Sequence, residues 1–171
     1  MNYDEYFISL AKVVASKSKD PSTKVGAVIV GPGREVRSTG YNGFPRRVKE
    51  TPERWARPFK YQLVCHAELN SILQAARSGV SVLNCSLYIS TNSIPCASCA
   101  AAVIQAGIIE VVGPVGEFPG KGSQWEESLK LGRDILLEAG VLIRTVECGS
   151  QNTDKVAWND SGTDSTKSIC G

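Results

Sequence analysis

The chain of 171 residues lacks the features that mark several large classes of protein. It has no apolar run near the roughly 20 residues that a membrane-spanning helix needs. Residues 1–6 are acidic and polar, where a secretory signal would be basic and then apolar. The net charge is only +2, so the chain lacks the positive excess typical of proteins that bind duplex nucleic acid. We therefore expect a cytoplasmic protein with no membrane and no duplex nucleic acid as partner.

The six cysteines do not indicate a framework of three disulfides. Of the six, Cys96 and Cys99 form a CxxC pair, and the others lie in apolar or C-terminal contexts. Because intracellular proteins keep their thiols reduced, we expect free cysteines. The length and the 42% content of hydrophobic residues suit one domain with a sizeable core.

Hydrophobic periodicity predicts helices and strands in the order α, β, β, α, β, α, β, α, β. The expected helices cover residues 3–17, 66–77, 96–106 and 125–138, and the expected strands cover 25–30, 36–39, 86–90, 108–112 and 141–146. Residues 40–60, which are punctuated by glycine and proline, predict a long loop. The order indicates an α/β fold with a five-stranded mixed sheet and helices on both faces. We expect residues 1–146 to form this domain and the polar residues 147–171 to form a poorly ordered or partner-docked tail.

A metal site is predicted from one histidine and two cysteines. His66 is the single histidine of the chain, Glu68 follows it, and Pro95 precedes Cys96 and Cys99. One imidazole and two thiolates suit tetrahedral Zn²⁺ with one position open for chemistry. Two cysteines three residues apart at the start of a helix share one face, where the helix dipole favours their thiolate forms.

A closed, purely structural zinc site is the alternative interpretation. Cys65 adjoins His66 and is the obvious fourth ligand. Adjacent residues on a helix or strand point in different directions, however, which makes Cys65 a poor partner for its neighbour. A structural site also has no use for the carboxylate of Glu68, so the open site is favoured.

The motifs HAE at 66–68 and PCASC at 95–99 match the zinc nucleobase deaminase signature, HxE followed by PCxxC. Four further blocks resemble the deoxycytidylate (dCMP) deaminase family. These blocks are SKDPSTKVGAVIV at 18–30, GYNGFP at 40–45, KY at 60–61 ahead of CHAELN at 65–70, and VIQAGI at 103–108. The resemblance implies a three-layer α/β/α cytidine deaminase-like fold. It also implies hydrolysis of dCMP to dUMP and ammonia, supplying dUMP for thymidylate synthesis, and in some relatives hydrolysis of dCTP to dUTP.

The resemblance assigns roles to the site residues. His66, Cys96 and Cys99 hold zinc, and Glu68 is the catalytic acid and base that passes a proton from water to N3 of the pyrimidine. The implied substrate residues are Asn42 at the sugar, the Ala67 backbone N–H at the pyrimidine O2, Ile94 and Pro95 at the exocyclic amine, and Val25. The alternative for Asn42 is a turn residue that tolerates left-handed geometry.

Recognition of the 5′-phosphate needs cations or backbone donors, and the sequence does not rank the candidates. These are Lys24, Arg46, Arg47, Lys60 and Lys121. The resemblance further implies a hexamer that dCTP activates with Mg²⁺ and that thymidine triphosphate inhibits, with effector contacts at Lys19, Asn42 and Gly43. The second zinc site of some viral relatives uses extra histidines, which this chain does not have.

Two other functions are compatible with the zinc motif. A deaminase acting on a base in RNA, similar to the tRNA adenosine deaminases, would bring a clustered basic surface, and the GYNG block and modest net charge argue against it. A non-catalytic, zinc-stabilised nucleotide-binding module would not need Glu68. We therefore favour a free nucleotide as the substrate.

Overall fold

The computed structural model describes residues 1–92, 94–116, 122 and 124–147. Within these residues, one five-stranded sheet has the order β2-β1-β3-β4-β5. Its strands are β1 (Gly26–Val30), β2 (Val36–Tyr41), β3 (Ser86–Ile89), β4 (Glu110–Pro114) and β5 (Leu142–Val146). β1 runs antiparallel to β2 and β3, whereas β3, β4 and β5 are parallel to one another. The predicted five-stranded mixed sheet is therefore confirmed.

The described helices include the four that the sequence predicts. They are α1 (Tyr3–Ala15), α2 (Pro52–Trp55), α3 (Phe59–Leu63), α4 (Ala67–Arg77), α5 (Ala97–Gln105) and α6 (Glu126–Glu138). α1 begins with a capping box in which Asn2 and Glu5 each accept the other's backbone N–H. α2 and the start of α3 lie in the segment predicted to be a long loop, so that prediction was wrong there. A helix of four or five residues is too short to show a repeating apolar face.

Successive residues of β1 face opposite layers, which shows how the sheet is covered on both sides. Ala27 and Ile29 pack in a core with residues of α4, α5 and α6. Val28 and Val30 pack in a second core with Phe7, Ile8 and Ala11 of α1. All five residues of β1 are buried, as its continuous apolar run predicts. The three-layer α/β/α architecture is therefore confirmed.

The position of α4 depends on a close approach to β2. A Cβ at Gly40 would lie 2.3 Å from the backbone nitrogen of Ser71 and 2.5 Å from the carbonyl oxygen of Ala67. Only glycine therefore lets the helix lie this close to the strand. This contact places the first turn of α4 near the end of β2 and the loop that follows it.

The parallel crossover from β3 through α5 to β4 places the start of α5 beyond the carboxyl end of β3. Ser90, just after β3, accepts the N–H of Gly26 through its hydroxyl and donates its own N–H to the Gly26 carbonyl. In the part of the chain that the structure describes, every helix is too short or too polar to span a membrane. The predicted tail, residues 147–171, lies outside the described residues except for Glu147.

Candidate active site

Three side chains from two helix N-termini meet at one end of the sheet. His66 is the N-cap of α4, Cys96 is the N-cap of α5, and Cys99 lies in the first turn of α5. The Nδ1 atom of His66 is 3.4 Å from the Cys96 Sγ and 3.5 Å from the Cys99 Sγ. All three atoms lie within 4.8 Å of one another. The structure thus brings together the three predicted metal ligands.

The distances fit a zinc ion. Tetrahedral coordination with Zn–S of about 2.3 Å and Zn–N of about 2.0 Å separates a sulfur from a nitrogen ligand by about 3.5 Å. The observed separations of 3.4 and 3.5 Å match this value. Cys65 is not part of the cluster found among the described residues, so the closed site with Cys65 as fourth ligand is not formed. Three protein ligands are the number typical of catalytic zinc sites.

The pKa values of the two thiols are shifted in opposite directions. The Cys99 thiol donates a hydrogen bond that, together with one from His66, lowers the pKa of Cys96. Donating that bond, together with burial, raises the pKa of Cys99. The hydrogen bond to Cys96 raises the pKa of His66. The cluster therefore holds exchangeable protons that a divalent cation would displace on binding.

Glu68 lies in the first turn of α4, two residues after the histidine ligand, and only 8% of it is exposed. Burial raises the pKa of its carboxyl group, against the opposing influences of a backbone hydrogen bond at Glu68 and of the nearby His66. A carboxyl group with a raised pKa next to a metal site can both accept and return a proton. This placement suits the predicted role of Glu68 as acid and base.

The ring of Trp125 lies next to the metal cluster, a contact that the sequence analysis did not predict. The Trp125 ring meets the His66 ring edge-on, with centroids 5.6 Å apart, and meets the Tyr61 ring edge-on at 5.5 Å. Trp125 also packs against the buried core that contains Cys96 and Cys99. The only sequence signal was the position of an aromatic residue at the start of a predicted helix.

A family model for the cytidine and deoxycytidylate deaminase zinc-binding region matches residues 1–113. The chain belongs to this deaminase family. The match includes the three clustered ligands and Glu68, so the metal cluster lies in the family's zinc-binding region.

Individual members of the deaminase family show how far the similarity extends. Mouse deoxycytidylate deaminase is 40% identical over 118 residues, which cover 66% of this chain and 64% of the mouse protein. The chain therefore spans less than two thirds of that relative's length. An uncharacterised deaminase from Aliivibrio fischeri is 39% identical over 137 residues, covering 79% of this chain and 87% of that protein. A dCMP deaminase from the cyanophage S-TIM5, solved with dCMP and dUMP, is 25% identical with a TM-score of 0.64, covering 82% of this chain and 95% of that one.

Asn42 is buried and bound within the protein. Its Oδ1 accepts the backbone N–H of Val25 at 2.8 Å, and its Nδ2 donates to the carbonyl oxygen of Thr23 at 2.8 Å and to Asp20 at 3.3 Å. An amide oxygen has two lone pairs, so Oδ1 can accept one further hydrogen bond. The roles of Asn42 and Val25 at the substrate stay predictions.

The other predicted substrate residues lie around the start of the two helices. Ala67 is the first residue of α4, where a backbone N–H has no acceptor within the helix. Ile94 donates its N–H to the Asn92 side chain at 2.7 Å, and Pro95 is buried. A Cβ at Gly132 of α6 would lie 2.3 Å from the Pro95 carbonyl oxygen, so α6 holds this segment in place.

The candidate phosphate and effector cations have different environments. Lys60 is buried, and its Nζ lies 2.9 Å from the carboxylate of Asp20. Because its charge is already paired, Lys60 is a poor candidate for binding the 5′-phosphate. Lys24, Arg46 and Arg47 are exposed, Arg46 donates to Gln74, and Lys121 lies outside the described residues. Exposed Lys19 pairs with Glu50 at 3.2 Å, and Gly43 forms a β-bridge with Cys65.

The sequence analysis did not predict the buried Asp20–Lys60 ion pair, because no local pattern joins residues 40 positions apart.

Proposed function

We propose that this protein is a zinc-dependent hydrolase that converts dCMP and water to dUMP and ammonia. One observation carries the proposal: a buried carboxyl group, Glu68, lies beside a cluster of His66, Cys96 and Cys99 that fits tetrahedral zinc. Relatives named deoxycytidylate deaminase and a phage dCMP deaminase solved with dCMP and dUMP support the choice of substrate. Zinc, when bound, supplies the Lewis acidity that makes water nucleophilic at neutral pH.

The chain's own residues divide the remaining work. Glu68 takes a proton from the attacking water and delivers it to N3 of the pyrimidine, which makes C4 more electrophilic. Once the water oxygen is bonded to C4, Glu68 takes the second proton from the new C4 hydroxyl group and passes it to the exocyclic nitrogen, so that the bond from C4 to nitrogen breaks, the C4 carbonyl forms and ammonia leaves. Burial of Glu68 raises the proton affinity of its carboxyl group, which favours its acceptance of a proton from water.

Substrate binding uses polar groups around the same helix termini. The N–H of Ala67 at the start of α4 donates to O2 of the base, and the helix dipole adds to this donor. Carbonyl oxygens just before Pro95, such as that of Ile94, accept hydrogen bonds from the exocyclic amine, and Asn42, held by Val25, accepts one from a sugar hydroxyl. The exposed Lys24, Arg46 and Arg47 are the candidates for the 5′-phosphate.

Several finer features stay predictions of the resemblance. They are turnover of dCTP, activation by dCTP with Mg²⁺ and inhibition by thymidine triphosphate, effector contacts at Lys19 and Gly43, a hexamer, and a cytoplasmic location. Adding each nucleotide with Mg²⁺ to the assay below tests the regulatory ones directly.

The deciding experiment measures ammonia release from zinc-loaded protein with dCMP, dCTP, deoxycytidine and CMP in parallel. We expect dCMP turnover that Glu68→Gln lowers by about 10²- to 10⁴-fold while zinc stays bound, because the amide cannot shuttle a proton. The matched control is Glu138→Gln, at an exposed position at the end of α6, which should leave turnover unchanged. Full turnover by Glu68→Gln, or no turnover of any substrate by zinc-loaded wild type, would contradict the proposal.

A further inference from the structure

Asp20 is a buried carboxylate, 3% exposed, to which the proposed chemistry assigns no role. Its Oδ1 accepts the backbone N–H groups of Ser22 at 2.8 Å and Thr23 at 3.2 Å, and the Nζ of Lys60 at 2.9 Å. Its Oδ2 accepts the side-chain amide of Asn42 at 3.3 Å. Burial alone would raise the pKa of Asp20, but the bonds from Lys60 and the two backbone amides lower it. Asp20 is therefore a fixed negative charge beside the Asn42 amide.

This charge decides which way the Asn42 amide faces. In the observed orientation, Nδ2 donates to Asp20 and to the Thr23 carbonyl, and Oδ1 accepts the N–H of Val25. A rotation of the amide by 180° would direct Oδ1 at a carboxylate and a carbonyl, and would set Nδ2 against the Val25 N–H. Three attractive contacts would become three repulsive ones, and the buried charge makes one of them especially unfavourable.

We infer that Asp20 is a positioning residue that holds the Asn42 amide oxygen as an acceptor for the 3′-hydroxyl of the nucleotide. This inference rests on the proposed function. The deoxyribose 5′-phosphate part of dCMP has one free hydroxyl group, at C3′. When this hydroxyl is buried, its proton requires a hydrogen-bond acceptor. The second lone pair of the Asn42 oxygen is such an acceptor, whereas a rotated amide would present a donor.

Lys60 extends this arrangement towards the metal site. It holds Asp20 from α3, and only four residues separate it from Cys65, whose backbone pairs with Gly43 through bonds of 2.9 and 3.0 Å. Gly43 follows Asn42 directly, and Cys65 precedes the histidine ligand. The buried ion pair and this β-bridge thus join the sugar-binding segment to the metal-binding segment. Lys60 is accordingly a counter-ion for Asp20 and not a phosphate ligand.

The test compares dCMP with 2′,3′-dideoxycytidine monophosphate, which lacks the 3′-hydroxyl. We expect Asp20→Asn to raise KM for dCMP about five- to tenfold, the size of one lost hydrogen bond, with kcat within about twofold. KM for the dideoxy nucleotide should change by less than about twofold, since the contact at stake is absent. In an Asn42→Ala background, Asp20→Asn should cause no further loss on dCMP, because both changes remove the same contact. Asp134→Asn, at an exposed position on α6, is the matched control.

Each possible result of this comparison either supports or overturns the positioning role of Asp20. An equal loss on both nucleotides, or additive losses in the double variant, would show general damage and overturn the positioning role alone. Wild type that is inert toward both nucleotides would instead overturn the proposed function and this inference with it. If Asp20→Asn fails to fold, hydrogen exchange of the Asn42 side-chain amide in the wild type, measured by NMR, takes its place. Slow exchange supports the locked amide, and exchange at the rate of an exposed amide overturns it.

Discussion

Gly132 lies in the interior of α6, where helix propensity and tertiary packing make opposite predictions. Alanine is the best helix former, so Gly132→Ala should stabilise an isolated helix by about 1 kcal/mol. In the structure, however, a Cβ at this position would lie 2.3 Å from the Pro95 carbonyl oxygen, 3.0 Å from the Cys96 carbonyl carbon and 3.1 Å from the Ala97 nitrogen. All three are backbone atoms, so no side chain can rotate away.

The expected magnitude follows from these contacts. The new methyl group must move about 1 Å away from the Pro95 oxygen, and overpacking of this kind typically costs about 1–3 kcal/mol. That cost exceeds the gain in propensity, so we expect a net loss of about 1–2 kcal/mol in the free energy of unfolding. The displaced backbone carries Cys96, so zinc affinity should also fall, by about 10- to 100-fold as for other changes just outside a metal's ligands.

Two assays check this prediction: denaturant unfolding of the zinc-loaded protein, and competition for zinc with a chromogenic chelator. The matched control is Gly116→Ala, since a Cβ at exposed Gly116 would meet no atom of the described residues within 4 Å. The control should leave both quantities unchanged. If Gly132→Ala is as stable as wild type and binds zinc equally well, then α6 does not pack on the ligand segment as described, and the reasoning is refuted.

Two more predictions concern the metal cluster and the opposite face of the sheet. Cys99→Ala removes one of three ligands, so purified protein should lose stoichiometric zinc and dCMP turnover; full zinc content by elemental analysis would contradict the ligand assignment. Hydrogen bonds from Arg144, and also from Tyr88, lower the pKa of Asp4 despite its partial burial. The resulting stabilisation is complete above the ordinary carboxyl pKa of about 4 and is lost as pH falls through the lower pKa of the folded protein. Asp4→Asn should therefore reduce the free energy of unfolding at pH 7 and have a smaller effect near pH 3; equal effects at both pH values would argue against this ion pair.

Much of the fold follows from short-range patterns. The run from Gly26 to Val30 is apolar at every position, so it had to be a strand buried on both faces, and it is. The helices α1, α4, α5 and α6 repeat apolar residues often enough for their ends to be placed within two residues. The one-turn helices α2 and α3 give no such repetition and were missed.

The three metal ligands could also be predicted from the sequence alone. A chain with one histidine offers a single imidazole, and Cys96 and Cys99 are separated by the spacing that places two thiolates on one helical face. The sequence left open whether Cys65 is a fourth metal ligand. The positions of the described side chains show that Cys65 does not belong to the cluster.

Sequence by itself determined the five strands and the four longer helices, the CxxC pair, and the carboxylate two residues after the only histidine, because each depends on residues only a few positions apart. Tertiary structure alone decided that Asp20 pairs with Lys60, that Trp125 borders His66, and that Gly132 lies against the Pro95 carbonyl. Those contacts join segments some 35 to 60 residues apart. Side-chain periodicity describes the face that one element buries, whereas such contacts depend on how two elements pack against each other.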